Sequence, residues 1–340
     1  MNLDAWNLDA AAFPARGSDE EKLTFAARCA ILAPSSHNSQ PWRFFIHGNR
    51  LDLKADRTRA LPVVDPDHRE LVISCGAALF HLRLALRYCG YEALVERSPA
   101  CFAGDVLATV RIGRPRERSS DDEWLFAAIP RRHTNRTHFS ERAVDGPLRM
   151  ALLETARAEG AWLYATNELT KEVVAALVAE GDRLQSADPR FRDELAKWLH
   201  PNRGDDVDGM PGSTRSLSDV GARLAPLLVR TFEWSGTRAA HDHELAVGSP
   251  LLAVLGTPGD GERDWLRAGE ALAHVLLRAT SAGLAASFLN QPVEVPRLRR
   301  RLHETLGQTG WPQLVLRLGY GATVPPTPRR PLQDVVQVTR

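Results

Sequence analysis

The chain has 340 residues, with 43 Lys and Arg against 42 Asp and Glu and a net charge of +1. That balance argues against a general nucleic-acid or membrane-surface binder, which would need a basic excess. A hydrophobic content of 44% with 25% charged residues is ordinary for a globular protein, and the length suggests about two domains at ~150 residues each.

The first residues carry no early Lys or Arg and no apolar core of a signal peptide, and no run reaches the ~18 apolar residues of a membrane span. Ser18-Asp19-Glu20-Glu21 is a capping box, and Leu23, Ala26, Ala27, Ala30 and Ile31 form the apolar stripe of a helix ending near Ala33. A polar turn, Pro34-Ser35-Ser36-His37-Asn38-Ser39-Gln40-Pro41, leads into two strand-like runs, Trp42–Ile46 and Leu51–Ala55, joined as a hairpin. A long helix is expected from Arg69 to Cys89 with Gly90 as its cap, then a strand at Val106–Ile112. A charged linker (Arg114–Asp122), a short helix near Trp124–Ala128 and a basic run at Pro130–Arg136 follow. Helices are expected over Pro147–Ala158 and 168–199. The stretch 200–248 is rich in Gly and Pro and reads as an irregular lid or binding loop. Leu251–Leu255 and Leu314–Leu318 are strands, Glu262–Ala282 is a second long helix, and Pro325–Pro331 is an extended tail. Cys29, Cys75, Cys89 and Cys101 have no CxxC spacing and read as reduced, mostly buried thiols of a cytoplasmic protein.

The two long helices are alike. Residues 76–90 and 269–283 align at a constant offset, with Gly76/Gly269, Ala78/Ala271, Leu79/Leu272, His81/His274, Leu84/Leu277 and Gly90/Gly283 agreeing. This points to an internal duplication in which two α+β halves mimic a homodimer inside one chain. The two histidines fall on apolar stripes and read as core or interface residues.

Three polar clusters could carry chemistry. The turn at 34–41 places backbone N–H groups and short donors where a planar polar ligand could meet them, unless it merely connects. Arg131-Arg132-His133-Thr134-Asn135-Arg136 gathers guanidiniums suited to a phosphate, unless it is a solvated linker. Thr327-Pro328-Arg329-Arg330-Pro331 adds two more on a stiff tail. Together they suggest a phosphorylated cofactor; neither GxxxxGK[ST] nor a dinucleotide fingerprint is present. His241-Asp242-His243-Glu244 lacks further ligands for a metal, and Asp205–Gly209 lacks the closing Glu of a calcium loop, so no metal is expected.

Ala33-Pro34-Ser35-Ser36-His37-Asn38-Ser39-Gln40-Pro41-Trp42 closely resembles the flavin-site loop of the nitroreductase family, Pro-Ser-Ser-x-Asn-x-Gln-Pro-Trp. Arg132-His133-Thr134-Asn135-Arg136 resembles that family's phosphate motif, but here it follows the loop instead of preceding it. Residues 281–291 resemble the segment that ends in Pro-x-Glu-Gly beside the flavin, with Asn290 and Gln291 near that position and the Glu-Gly absent. Leu318-Gly319-Tyr320 and Pro328-Arg329-Arg330 resemble the family's closing motifs.

The order of motifs is similar to that of the Acg-type subfamily, a fused one-site form. The resemblance implies an α+β fold of two nitroreductase-like halves with mixed, mainly antiparallel sheets, 1–118 carrying the loop and 119–340 carrying the phosphate motif and the insertion. It implies one non-covalent FMN held by Pro34, Ser35, Ser36, Asn38, Arg132, His133, Thr134, Arg136, Asn290, Gln291, Arg329 and Arg330. No catalytic side chain is assigned. NAD(P)H as electron donor and a nitro, quinone or similar small-molecule acceptor follow from the same resemblance. The alternative is an FMN-sequestering protein with little reductase activity. Either is expected to work without nucleic acid or membrane, as a monomeric pseudo-dimer or a further homo-oligomer. Met210, Leu217, Leu224, Leu227, Phe232 and Trp234 are expected to pack over the ring from the lid.

Overall fold

A computed structural model describes residues 3–97, 105–202, 204–215, 217–231 and 235–339. Helix α1 (Asp19–Ala30) opens on a reciprocal cap, with Ser18 Oγ accepting from Glu21 N and Glu21 Oε2 accepting from Ser18 N. Strands β1 (Trp42–His47) and β2 (Arg50–Ala55) form an antiparallel hairpin, and Gly48 takes the positive φ its turn requires. Helix α2 (Arg69–Tyr88) follows, then β3 (Tyr91–Arg97), β4 (Val106–Pro115), α3 (Ser120–Ala128), α4 (Gly146–Ala158) and β5 (Trp162–Ala165).

A helical insertion comes next: α5 (Glu168–Ala187), α6 (Pro189–Lys197), the two-residue strands β6 (Leu199–His200) and β7 (Met210–Pro211), α7 (Asp219–Thr231) and α8 (Ser235–Val247). The chain then returns through β8 (Leu251–Thr257), α9 (Glu262–Ser281), β9 (Ala285–Phe288), α10 (Gln291–Glu294), α11 (Pro296–Leu306) and β10 (Trp311–Gly319). It ends with an extended segment, α12 (Leu332–Val335) and β11 (Val336–Val338).

Two sheets result. The first has the order β11-β1-β2-β4-β3 and is antiparallel except where β11 runs parallel to β1. The second has the order β5-β8-β10-β9 and is antiparallel throughout. Hairpin, long helix and closing strand pair recur with the same neighbours: β1-β2-α2-β3-β4 in one, β5-β8-α9-β9-β10 in the other. The fold is therefore α+β, built from two units of like topology. The C-terminal strand β11 belongs to the first sheet, although it is more than 200 residues from β4.

The units meet along α2 and α9. Gly76 and Gly269 face each other, so that a Cβ on Gly76 would lie 3.0 Å from Gly269 Cα and would overlap the Leu266 carbonyl. A Cβ on Gly269 would lie 2.7 Å from Gly76 Cα and would overlap the Ile73 carbonyl. Ile73 and Leu266 are themselves separated by the repeat offset, so each helix offers the same patch to the other. Such reciprocity is the signature of an isologous, two-fold contact. His81 and His274 are buried on these helices.

Two expectations need correction. The stretch 200–248 is largely helical: α7 forms despite an internal Pro226, and Ala222 and Ala225 are buried on its inner face. A separate small core holds it, with Phe191, Leu195, Leu199, Met210 and Ala225 packed against Leu61 and Val64. The insertion into the β5–β8 hairpin thus begins at α5, not near residue 200. The expectation of no span-length apolar segment also meets an exception, since an 18-residue window of α2 has mean hydropathy 1.3. That window is 83% buried inside the protein, as a core helix between two sheets should be. Cys29 and Cys75 are buried free thiols and Cys89 is half-buried; Cys101 lies outside the described residues.

Candidate functional site

The turn after α1 is strained and heavily braced. His37, Asn38 and Gln40 have φ of 53°, 55° and 51°, a left-handed conformation uncommon for residues other than glycine. Strain of this kind persists where surroundings over-determine it, which is common at ligand sites. Here Ser35 Oγ accepts from Gln40 N at 3.0 Å, and Asn38 Nδ2 donates to Gly209 O at 2.9 Å and Pro328 O at 3.1 Å. Asn38 Oδ1 accepts from Arg329 Nη1 at 2.9 Å. Asn38 therefore braces the turn and does not line the cavity beside it.

That cavity, about 470 Å³, lies between the turn, α2, α10 and the inserted helices. Pro34, Ser35 and Ser36 line one side, Thr134 and Arg136 another, and Asn290 and Gln291 a third. Residues from both units, from the turn and from the basic run thus meet in one space with Asn290 and Gln291, whereas Arg132, Arg329 and Arg330 do not line it. Asn290 Nδ2 donates to Glu70 Oε1 at 3.3 Å, and its Oδ1 accepts from Val315 N at 3.1 Å. Gln291 Nε2 donates to Asp182 and Asp242, at 3.1 and 3.0 Å, while its buried Oε1 has no donor. Arg136 is half-buried, and desolvation, then the charge of Arg238, pull its pKa down to about 10.

A second group of cations sits behind the turn. Arg132 and Arg329 are 4% and 2% exposed, and both donate to the Leu32 carbonyl at the end of α1, at 3.3 and 3.5 Å. Arg132 Nε has no partner, and no carboxylate pairs with Arg132 among the described residues. Desolvation pulls Arg132 down to about 10; it also lowers Arg329, and the charge of Arg132 lowers Arg329 further. His81 and His133 fall to about 3, by burial first and these two arginines second. Positive charge buried without a carboxylate, as at Arg132 among the described residues, is costly, and an anion relieves it.

Not every expected residue serves this way. His133 stacks edge-on against Trp6, with ring centroids 4.5 Å apart, and does not line the cavity. Arg330 donates to Gln40 O at 3.0 Å and Asp56 Oδ2 at 3.4 Å, so it supports the turn and not the cation group. Trp6 was not among the expected residues; its Nε1 donates to Thr327 O at 2.8 Å, and Arg329 lies over its ring at 4.6 Å. Glu70, Glu294, Arg238 and Asp242 line the cavity and were also missed. A signal for Glu294 was present, because Pro292-Val293-Glu294 keeps the Pro-x-Glu part of the family run and Val295 replaces only its glycine.

The insertion closes over the turn. Gln40 Nε2 donates to Val207 O at 2.9 Å, Gly209 N donates to Asn38 O at 3.3 Å, and Arg59 pairs with Asp208. His200 Nε2 lies 3.4 Å from Asp208, which raises the histidine pKa and lowers that of the carboxylate. Met210 is buried, with its Sδ 3.7 Å from Arg136 Nη2. Leu217 packs in the insertion's own core, whereas Leu224 and Leu227 are 46% and 62% exposed and point away from the cavity side they were expected to cover. Phe232 and Trp234 lie outside the described residues.

Fold and site together define an α+β protein with a polar cavity walled by both of its like units, and with buried cations behind the turn that lines it. No family model matches the chain. A Mycobacterium tuberculosis protein named as an NAD(P)H nitroreductase, Rv3131, is 35% identical over 324 residues, covering 94% of this chain and 92% of its own length. The Mycobacterium tuberculosis protein Acg, named as an NAD(P)H nitroreductase too, is 30% identical over 323 residues, covering 92% of this chain and 94% of its own. The chain belongs to the nitroreductase family. Among solved structures, the FMN-dependent nitroreductase NfnB from Mycobacterium smegmatis in complex with NADPH is similar at 16% identity, with 65% of this chain and 98% of that chain covered and a TM-score of 0.41.

Proposed function

We propose that the chain holds one FMN between its two units and passes electrons from NAD(P)H to a nitro, quinone or similar acceptor. The observation that carries this reading is the buried Arg132, with an unpartnered Nε, beside Arg329 and behind the turn that walls the cavity. A ribityl phosphate near −2 suits that pair, each charge-assisted bond contributing ~1.5–3 kcal/mol net. Pro34, Ser35, Ser36 and Thr134 would hold the ribityl chain and ring edge, with Arg136, Asn290 and Gln291 at the ring. When bound, the flavin supplies the hydride chemistry; the protein supplies placement, charge and dryness. The names of Rv3131 and Acg support the electron donor.

We read the two units as a fused pseudo-dimer, split near residue 118, in which one unit kept the turn and the other kept the phosphate motif. One site can then be assembled and a second cannot. Acid-released flavin should therefore approach one FMN per chain; a value near two means that the second unit also binds. Occupancy should not depend on protein concentration, because no second copy is needed. Release of flavin on dilution would make the site intermolecular. Anaerobic titration with NAD(P)H, followed by flavin absorbance, tests the redox reading directly.

The bonds from Asn38 and Gln40 to residues 207–209 favour a second reading, in which the insertion acts as a lid and the protein mainly retains its flavin. A closed lid excludes water and nicotinamide together. Replacing residues 203–216 by a short Gly/Ser linker should then speed flavin reduction by NAD(P)H. Fast reduction of the intact protein, with no gain on shortening, would leave the ordinary reductase.

A further inference from the structure

We propose that Glu294 is the proton donor to the bound acceptor, with Glu70 as the charged neighbour that keeps it in place. The inference rests on the flavin reading above and adds to it the residue that completes the acceptor's reduction. Glu294 closes the single turn of α10, its N–H donating to Asn290 O at 3.0 Å, and its side chain lines the cavity. One carboxyl oxygen accepts from Gln185 Nε2 at 2.5 Å, and no donor reaches the other among the described residues. Glu70 lines the same cavity but is saturated. It accepts from Ser36 Oγ at 2.5 Å and from Asn290 Nδ2 and Arg69 Nη2, each at 3.3 Å. Two carboxyls line one cavity, and their donors are unequal.

That inequality decides which of them holds the proton. Burial raises both carboxyls. At Glu70 the charge of Arg69 works against it, the charge of Asp65 adds to it, and the hydrogen bonds from Ser36 and Asn290 oppose it, leaving the group raised but well supplied with donors. At Glu294 the charge of Glu70 adds to it, and the group is pushed up to about 8 against weaker opposition from Gln185, Arg69 and Arg238. Asp242 on α8 also lines the cavity, and Arg238 and Gln291 engage both it and the neighbouring Asp182 of α5, which burial raises to about 7. Below that pH Glu294 is a neutral acid facing the cavity, which is the state a general acid needs.

The step balances as follows. A quinone that takes a hydride from the reduced flavin needs one further proton to leave as hydroquinone. The Glu294 O–H bond breaks, an O–H bond forms on the acceptor oxygen, and the electron pair left on Glu294 makes it a carboxylate. The flavin is oxidised and the quinone reduced, and solvent returns the proton to Glu294 between turnovers.

Two measurements on the holoprotein test it. In pH-difference infrared spectra of the oxidised protein, a protonated carboxyl band should disappear with a midpoint near 8 and be absent from Glu294→Gln. In rapid-mixing experiments on pre-reduced protein, Glu294→Gln should slow quinone reduction about 10²-fold and remove its decline at alkaline pH. With ferricyanide, which accepts electrons alone, the loss should be at least about tenfold smaller. Glu294→Asp should recover part of the quinone rate and keep an infrared band. Equal slowing of both acceptors would make Glu294 merely structural, and an unaltered quinone rate or a persisting band in Glu294→Gln would also overturn the proposal. Absence of FMN from the protein would sink the flavin reading and this one together, whereas FMN bound normally with an unaltered quinone rate sinks this one alone.

Discussion

Gly269→Ala should destabilise the protein by about 3 kcal/mol or more, at the upper end for an overpacked core. The added methyl would meet the Ile73 carbonyl and lie 2.7 Å from Gly76 Cα, and both are backbone atoms of the facing helix. No rotamer change relieves such a clash, so α2 and α9 would have to separate. Those helices join the main cores of both units: Leu266, Ala273 and Leu277 pack into the first, and Ile73 packs into the second. Separation would open both at once. Gly236→Ala is the matched control, since a Cβ there meets nothing within 4 Å and the helical position favours alanine. It should leave stability within about 1 kcal/mol, on the stabilising side. Urea unfolding of both variants measures the difference. A Gly269→Ala protein as stable as the control would mean that the helices are not apposed at this point.

Arg132→Met should raise the dissociation constant of FMN about 10²-fold, which corresponds to ~2–3 kcal/mol for one buried charge-assisted contact. Riboflavin, with no phosphate, should change less than about threefold. The flavin-free protein should respond in the opposite direction. Arg132 is buried without a carboxylate partner, and its charge acts on Arg329, His81 and His133. A methionine of similar length removes that repulsion and keeps the packing, so the apo protein should melt higher and the FMN-bound protein lower than the parent. Equal losses for FMN and riboflavin would move Arg132 away from the phosphate.

Much of this architecture is written locally in the chain. The Ser18–Glu21 box, the Gly48 turn and the repeated Gly-x-x-x-x-His pattern of α2 and α9 each depend on neighbours within a few residues, and each is legible from residue order alone. The helical insertion is different. On α7 the large apolar residues Val220, Leu224 and Leu227 are exposed, the small Ala222 and Ala225 are buried, and Pro226 lies inside the helix, so residue type does not mark its buried face. What holds it is a core shared with Leu61 and Val64, which lie over 100 residues earlier. The site divides in the same way. The residue types in the turn and the basic motif advertise a polar ligand, but which of them face it depends on tertiary partners. Asn38 turns toward Gly209 and Pro328, His133 toward Trp6 and Arg330 toward Asp56. Local spacing carries no information about any of these contacts.

The late arrival of β11 has a consequence for biosynthesis. The first sheet gains its edge strand only when Val336–Val338 pair with Phe44–Ile46, and Arg329 and the Thr327 carbonyl that anchors Trp6 arrive in the same last stretch. At ~5–20 residues per second, translation leaves roughly 15–60 s between the appearance of the turn at 34–41 and that of its final partners. During this interval the strained turn and the free edge of β1 stand uncovered, and an unpaired edge invites pairing with other chains. Removal of residues 329–340 would take away Arg329 and β11 together and leave the outer edge of β1 open to pairing with other chains.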